Sequence, residues 1–572
     1  MTQQNVEWPT CVELDCIGIQ LASGDRCLAH GSDDERYAAL QDIQRTGEID
    51  ARGIQFKDGL LEQVLDAAPR NPAGRPFIKS GRFKQAVFDR ADFTGSTFSG
   101  IAVFNDVRFQ GDVTFAGTTF SGNVSFRKAQ FCGNAGFQGA MFSNEASFAG
   151  VKYRGEARFS AATFGGNTVF EDAEFRDEAS FRGVTFGDDV WFARAVFRER
   201  AGFANTRFEK TSNFGPILTH RDLMLDWAHF MERIQIEAGA AVVSCVRARF
   251  PGGVQFRLQW AQVNLDDADF PEPSTLTGSR IGMLPVFEDR PALSSFEEHR
   301  MATDIAWGTL LIPETPSRPQ VVSLRGANVA GLALKNVTLT DCRFAGAHNL
   351  DKLRLEDDVT LPTAPTPLGR LSWDRRRVIA EERAWRASRY QRWQAPWWPG
   401  WLDRQPHVRG PEVLDPGQIA ALYRALRKGR EDNKDEPGAA DFYYGEMEMR
   451  RHAGSGANNS VSGSSRGWAE RALLTVYWMV SGYGLRAWRA LAWLLGTVAV
   501  FTVLFHWFGF RTSVQPESYW QSLLITLETA LSLEDKNAGL TGWGRLFRVL
   551  LRIAGPLLLG LAVLALRGRV KR

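Results

Sequence analysis

Four residues near the start of the chain carry the clearest chemistry. Cys11, Cys16, Cys27 and His30 form a C-x4-C-x10-C-x2-H pattern. Thiolate and imidazole are the usual ligands of zinc, and two close pairs separated by a loop suit a tetrahedral site. Four protein ligands would make that site closed and structural. The alternative is a small cap that buries reduced thiols. Two acidic groups, Glu534 and Asp535, lie between the last two apolar stretches and suit a pore-like acidic ring or an exposed acidic loop. Asp441, Glu446, Glu448 and His452 share one helical stretch and read as a solvated surface. No nucleophile elbow, phosphate-cradling glycine loop or catalytic carboxylate pair is present, so no catalytic residue and no other cofactor is expected. The three remaining cysteines, Cys132, Cys245 and Cys342, are scattered, which excludes a dense disulfide framework. The net charge of +3 over 572 residues gives no global bias toward nucleic acid.

The elements behind these residues are written in phenylalanine, which occurs 39 times against 9 tyrosines. From Phe93 to Phe214 an aromatic recurs at alternating steps of five and six residues without a slip. Two positions before each stands Ala, Ser, Thr or Val, for example Ala102, Val107, Ala129 and Ala157. In an extended segment residues i−2 and i share a face. Each short segment therefore sends one small and one aromatic side chain inward, and glycine and polar residues serve the turns. Stacking such segments about 4.8 Å apart places ring upon ring. The expected fold is mainly β, a solenoid of about 22 residues per coil.

This ladder resembles the pentapeptide-repeat family over residues 86–214. The resemblance implies a right-handed quadrilateral β-helix. Some members inhibit DNA gyrase through an acidic, DNA-like surface; acidic and basic residues nearly balance over 86–215, so that role and nucleic-acid binding are not expected. After Phe214 the pattern fades, with fragments at Phe250, Phe256 and Phe270. A five-residue run returns at Leu324, Val329, Leu334, Leu339 and Phe344. The sequence predicts a cap over 1–76 with short helices at 33–46 and 57–68, β-helix over 77–284, an insertion at 285–320, and further repeats over 321–360.

A proline-rich stretch, 361–370, ends the solenoid, and a helical linker region runs to 467. Within it, 415–452 reads as a helix hairpin, with Asp415 as N-cap, Pro416 at the first helical position, and Pro437-Gly438 as the break. Trp393, Trp397, Trp398 and Trp401 form an aromatic junction or an interfacial anchor. The membrane domain spans 468–572: an interfacial helix at 468–483, a first span at 490–510, a pore-like helix at 519–533 and a second span at 547–566. Basic flanks at Arg486 and Arg489 and at the C-terminus place both ends in the cytosol, although Arg545, Arg548 and Arg552 run against that rule. The N-terminus, MTQQNVEWPT, lacks a signal-peptide pattern.

The order of span, semi-apolar helix, loop and span resembles the two-transmembrane pore module of ion channels. Potassium filters need glycine-permitted carbonyls, whereas the matching place reads SLEDKN from Ser532 to Asn537, so no potassium-type filter is expected. The whole chain resembles a group of actinobacterial membrane-anchored pentapeptide-repeat proteins. The matching pieces are Cys27–His30, Gly74–Pro76, Glu436–Arg451, Ser481–Ala487 and Arg567–Arg572. The expected function is a non-enzymatic, membrane-tethered platform for a cytosolic protein partner. The alternative is a subunit of an oligomeric, ion-channel-like pore, a tetramer if pore-forming.

Overall fold

The computed structural model describes residues 6–22, 24–57, 59–278, 318–356, 358–364, 376–393, 413–453, 465–511, 518–531 and 539–570. The chain divides into two compact units, Met1–Pro362 and Thr363–Arg572.

The first unit is a parallel β-solenoid of about 11 turns. Among the described residues its four sheets hold 7, 10, 8 and 13 strands. The strands of the phenylalanine ladder are mostly two residues long, and their pairing fixes the 22-residue coil: Val113 lies against Ala135, and Phe120 against Phe142. The aromatic columns stand in the core. Phe104, Phe126 and Phe148 stack at 4.8 and 5.0 Å, and Phe115 meets Phe126 edge-on at 5.4 Å. Backbone bonds tie coil to coil, as in Phe104 N–H to Ser125 C=O at 2.6 Å and Phe126 N–H to Ser147 C=O at 2.7 Å.

The alternation of five and six has a local cause. Five-residue steps turn through a pair whose second residue is left-handed, the column Gly95, Gly117, Gly139, Ala161, Gly183, Asn205 and Trp227 being one example. Six-residue steps lack that left-handed residue. A Cβ at Gly122 would lie 2.3 Å from the Gly100 carbonyl oxygen, so glycine is needed at that position.

Beyond Phe214 the solenoid continues, although the phenylalanine signal fades. One column runs Phe214, Ile236, Phe256, Leu276, Leu334 and Leu355 in register. The strands lengthen, as in Asn213–Thr219 and Ile234–Gly239. Ser274 pairs directly with Leu332, 58 positions further along the chain. Most of the expected 285–320 insertion lies outside the described residues. At the other end, Glu48–Asp50 pairs with Ser80–Arg82, and Gln55–Phe56 with Val87–Phe88. The solenoid thus begins inside the stretch expected to be only a cap. Helices α1 (Asp33–Thr46) and α2 (Leu60–Ala67) flank these strands.

The second unit is helical: α3 (Ala380–Trp393), α4 (Pro416–Asp432), α5 (Glu436–His452), α6 (Ser465–Ser481), α7 (Ala487–Leu504), α8 (Tyr519–Ala530) and α9 (Gly542–Val570). The N-cap at Asp415 forms as expected, its carboxylate accepting from Gly417 N–H at 2.9 Å. The hairpin break does not fall at Pro437-Gly438. Both residues sit in the first turn of α5, where a missing N–H costs nothing; the chain turns at Lys434, which is left-handed, and Asp435 caps Gly438 N–H at 3.0 Å.

The last helix also starts earlier than the expected second span. Thr541 Oγ1 accepts from Gly544 N–H at 3.0 Å and starts α9 at Gly542. Two stretches, Ala487–Gly509 and Gly542–Leu564, are long and apolar enough to cross a membrane, and only 17% and 22% of their most apolar windows are buried. The first includes a π-helical turn at Phe505–Gly509.

Candidate metal centre

The N-terminal segment folds back on itself before it reaches α1. Cys11 N–H donates to Gly18 C=O at 2.8 Å, and Gln20 N–H to Pro9 C=O at 3.1 Å, closing a hairpin that carries Cys11 and Cys16. Its tip turns through a left-handed Asp15. A second tight turn sets Cys27 and His30 on one side: His30 N–H and Gly31 N–H both donate to Cys27 C=O, at 3.0 and 2.8 Å. Ser32 follows at once as the N-cap of α1, in a reciprocal capping box with Glu35.

The hairpin is bound to the solenoid's first coil. Ile19 N–H donates to Arg52 C=O at 2.9 Å, and a Cβ at Gly53 would fall 2.3 Å from the Ile17 carbonyl oxygen. Trp8 donates through Nε1 to Ile17 C=O at 2.9 Å, and Arg52 lies over its ring.

These turns bring Cys11, Cys16, Cys27 and His30 together, with all four ligand atoms within 4.8 Å of one another. Cys16 Sγ and Cys27 Sγ are 3.8 Å apart. His30 Nδ1 lies 3.6 Å from Cys11 Sγ and 3.5 Å from Cys27 Sγ. A tetrahedral zinc with ordinary bond lengths requires about 3.8 Å between sulfurs and about 3.6 Å from sulfur to nitrogen. These three separations match a four-coordinate site, and with the remaining ones inside 4.8 Å the donor set could hold a metal ion.

The surroundings support thiolate ligands. Gly18 N–H points at Cys16 Sγ at 3.4 Å, and Cys27 N–H at Cys11 Sγ at 3.3 Å. Gly18 is required by crowding, because a Cβ there would lie 2.9 Å from Cys27 Cβ and 3.0 Å from its sulfur. Without a cation, burial pushes the Cys16 thiol up to about 12 and also raises Cys27. Burial acts the same way on Cys11, but backbone N–H groups and His30 outweigh it and bring that thiol to about 7. A divalent cation would favour the thiolate at all three.

The other sequence-singled acids divide differently. Glu534 and Asp535 lie outside the described residues, as does the tryptophan run from Trp397. Glu446 and Glu448, expected to be solvated, are instead buried at 1% and 7% exposure. Glu448 takes Arg451 at 2.8 Å and Arg386 at 3.3 Å, and accepts the Tyr483 hydroxyl at 3.0 Å. Glu446 takes Arg427 at 2.8 Å and Arg450 at 2.9 Å.

Sequence reasoning passed over Glu382, which is fully buried. It pairs with Arg376 and Arg386, and accepts the Tyr423 hydroxyl at 2.6 Å. Burial alone would raise these carboxyls. For Glu382 the two guanidinium groups overcome it; for Glu448 His452, Arg451 and Arg386 do. Both are held below the usual carboxylate range. These charges hold α3, α4 and α5 together and reach Tyr483, in the turn that leads into α7.

Residues 83–130, 104–152, 137–185 and 170–216 match the family described as pentapeptide repeats (9 copies). No curated protein matches the chain, and no solved structure matches it. No enzyme family is indicated. Residues 83–216 of the first unit's parallel β-solenoid are thus matched as pentapeptide repeats, and the chain also carries two candidate membrane helices.

Proposed function

We propose that the chain is a non-enzymatic, membrane-tethered binding platform. In this reading α7 and α9 cross a membrane, both termini lie in the cytosol, and the solenoid presents its flat faces to a protein partner. The observation that carries it is the combination of a long, regular solenoid with two apolar helices that their own unit leaves largely exposed. Rigid stacked repeats create extended surfaces that bind. Arg486 and Arg489 mark the cytosolic end of α7; their guanidinium groups lie over Tyr444 and Trp478, at 4.9 Å each. The Cys11, Cys16, Cys27 and His30 cluster holds one structural zinc, which locks the hairpin onto the first coil.

The platform reading is tested by capture with the full chain. On the eight-stranded sheet Thr119, Met141 and Thr163 stack in register. A partner recovered by the native chain and lost when all three become lysine supports the reading. No reproducible partner, or one indifferent to every solenoid face, counts against it.

A second reading, a subunit of an oligomeric pore-like assembly without a potassium-type filter, is favoured by the placement of α8, which packs against both α7 and α9.

A further inference from the structure

The short helix α8 is held at both ends by the two long apolar helices. At its start, the His506 ring stacks on Tyr519 with centroids 4.0 Å apart, and His506 Nδ1 lies 3.2 Å from Ser522 Oγ. At its end, the Ala530 carbonyl oxygen comes so close to α9 that a Cβ built on Gly555 would fall 2.3 Å away. From Gly542 to Gly555 a helix rises about 20 Å, in a span about 34 Å long. With α7 and α9 crossing a bilayer, the C-terminal end of α8 lies near its middle.

The two faces of α8 differ. Ser522, Thr526, Thr529 and Ala530 face inward and are buried. The two threonine hydroxyls donate to their own helix, Thr526 to Ser522 C=O and Thr529 to Ile525 C=O, both at 2.7 Å. The outer face is apolar: Trp520, Leu524, Leu527 and Leu531 are 68%, 48%, 42% and 42% exposed. Glu528 stands exposed on that same face, with no hydrogen bond or ion pair among the described residues.

Lipid suits the leucines but not a carboxylate at that depth. Water suits the carboxylate but not four large apolar side chains. A protein surface with an apolar body and a basic or donor group meets both demands. This chain carries such a surface on α9, where Val549, Leu550 and Ile553 are exposed. Beside them Arg548 and Arg552, both half-buried and each already in contact within the chain, lie about 9 and 15 Å along α9 from Gly542.

We propose that a second copy of this chain covers the outer face of α8, and that Glu528 is the acidic group of that contact. The proposal rests on the reading that α7 and α9 span the membrane. A contact between unlike surfaces of identical chains closes into a ring when its rotation permits.

The test uses the full chain in membranes, with a benzophenone amino acid in place of Leu524 or Leu527. Irradiation is expected to give an adduct of twice the chain mass. In detergent, E528L is expected to weaken self-association at least tenfold, with helix content unchanged. Adducts to lipid alone or to a different protein, or an E528L chain that associates as the native one does, overturn the proposal. A chain stripped from the membrane by alkaline carbonate fails the membrane reading itself; a carbonate-resistant monomer fails only this one.

Discussion

Replacing Phe126 by alanine probes the aromatic core where it is most regular. The ring is fully buried. It stacks on Phe104 and Phe148 at 4.8 and 5.0 Å, and meets Phe115 and Phe137 edge-on at 5.4 and 5.7 Å. Truncating a buried phenylalanine costs about 3–5 kcal/mol, depending on how far the site collapses. Collapse is blocked here, because the backbone ladder fixes the coils above and below, and each stacked pair adds about 0.5–1.5 kcal/mol beyond area burial. The expected loss is therefore at the upper end, about 5 kcal/mol. Solenoid stability is approximately a sum of nearest-neighbour terms, so the damage should also be local. Hydrogen exchange on the full chain in detergent is the assay. Amides of the coils between Phe104 and Phe148 should lose protection first, while those beyond Phe230 keep theirs. A loss under about 2 kcal/mol, or protection falling uniformly, would refute the stacked-column account.

Other expectations follow from the same geometry. The native chain should carry about one zinc per molecule under reducing conditions, and chelation or C27S should expose the hairpin at Ile19 to exchange while leaving coils beyond Phe126 protected; metal-free protein with an ordered hairpin would contradict this. Glu382→Ala strands Arg376 and leaves Arg386 to Glu448, so the helical unit should lose about 3–5 kcal/mol, against about 1.5–3 kcal/mol for Tyr423→Phe, as read by thermal melts of near-ultraviolet circular dichroism. The same network sets an acid limit. Glu382 and Glu448 titrate lower when folded than the ordinary 4.5, so their stabilisation is present above that value and is lost as pH falls below it. Tryptophan and tyrosine signals of the helical unit should then collapse before the β-sheet signal does.

Legibility in the sequence tracked the range of the interaction. The aromatic ladder was readable because one side-chain shape recurs at a fixed step, and the grouping of Cys11, Cys16, Cys27 and His30 because its residue types are rare and close together. The second half of the solenoid faded from view when Phe gave way to Ile and Leu at Ile236, Leu276 and Leu334 and the coil shortened from 22 to 20 residues, although the same inward column continued to Leu355. Glu446 and Glu448 were misread because a helical stretch does not reveal that Arg386 and Arg427 converge on it from two other helices. Pro437 looked like a break because proline forbids a helix interior, yet it fits a first turn equally well. The early start of α9 was hidden by its arginines, while its cap, Thr541, is a signal the sequence did contain.

The most direct test of the central claim is alkaline carbonate extraction of membranes carrying the full chain, followed by protease treatment from the cytosolic side. The account predicts that the chain stays with the membrane, that the protease removes the solenoid, and that the stretches around Ala487–Gly509 and Gly542–Leu564 are protected. Release of the intact chain into the carbonate supernatant would contradict it.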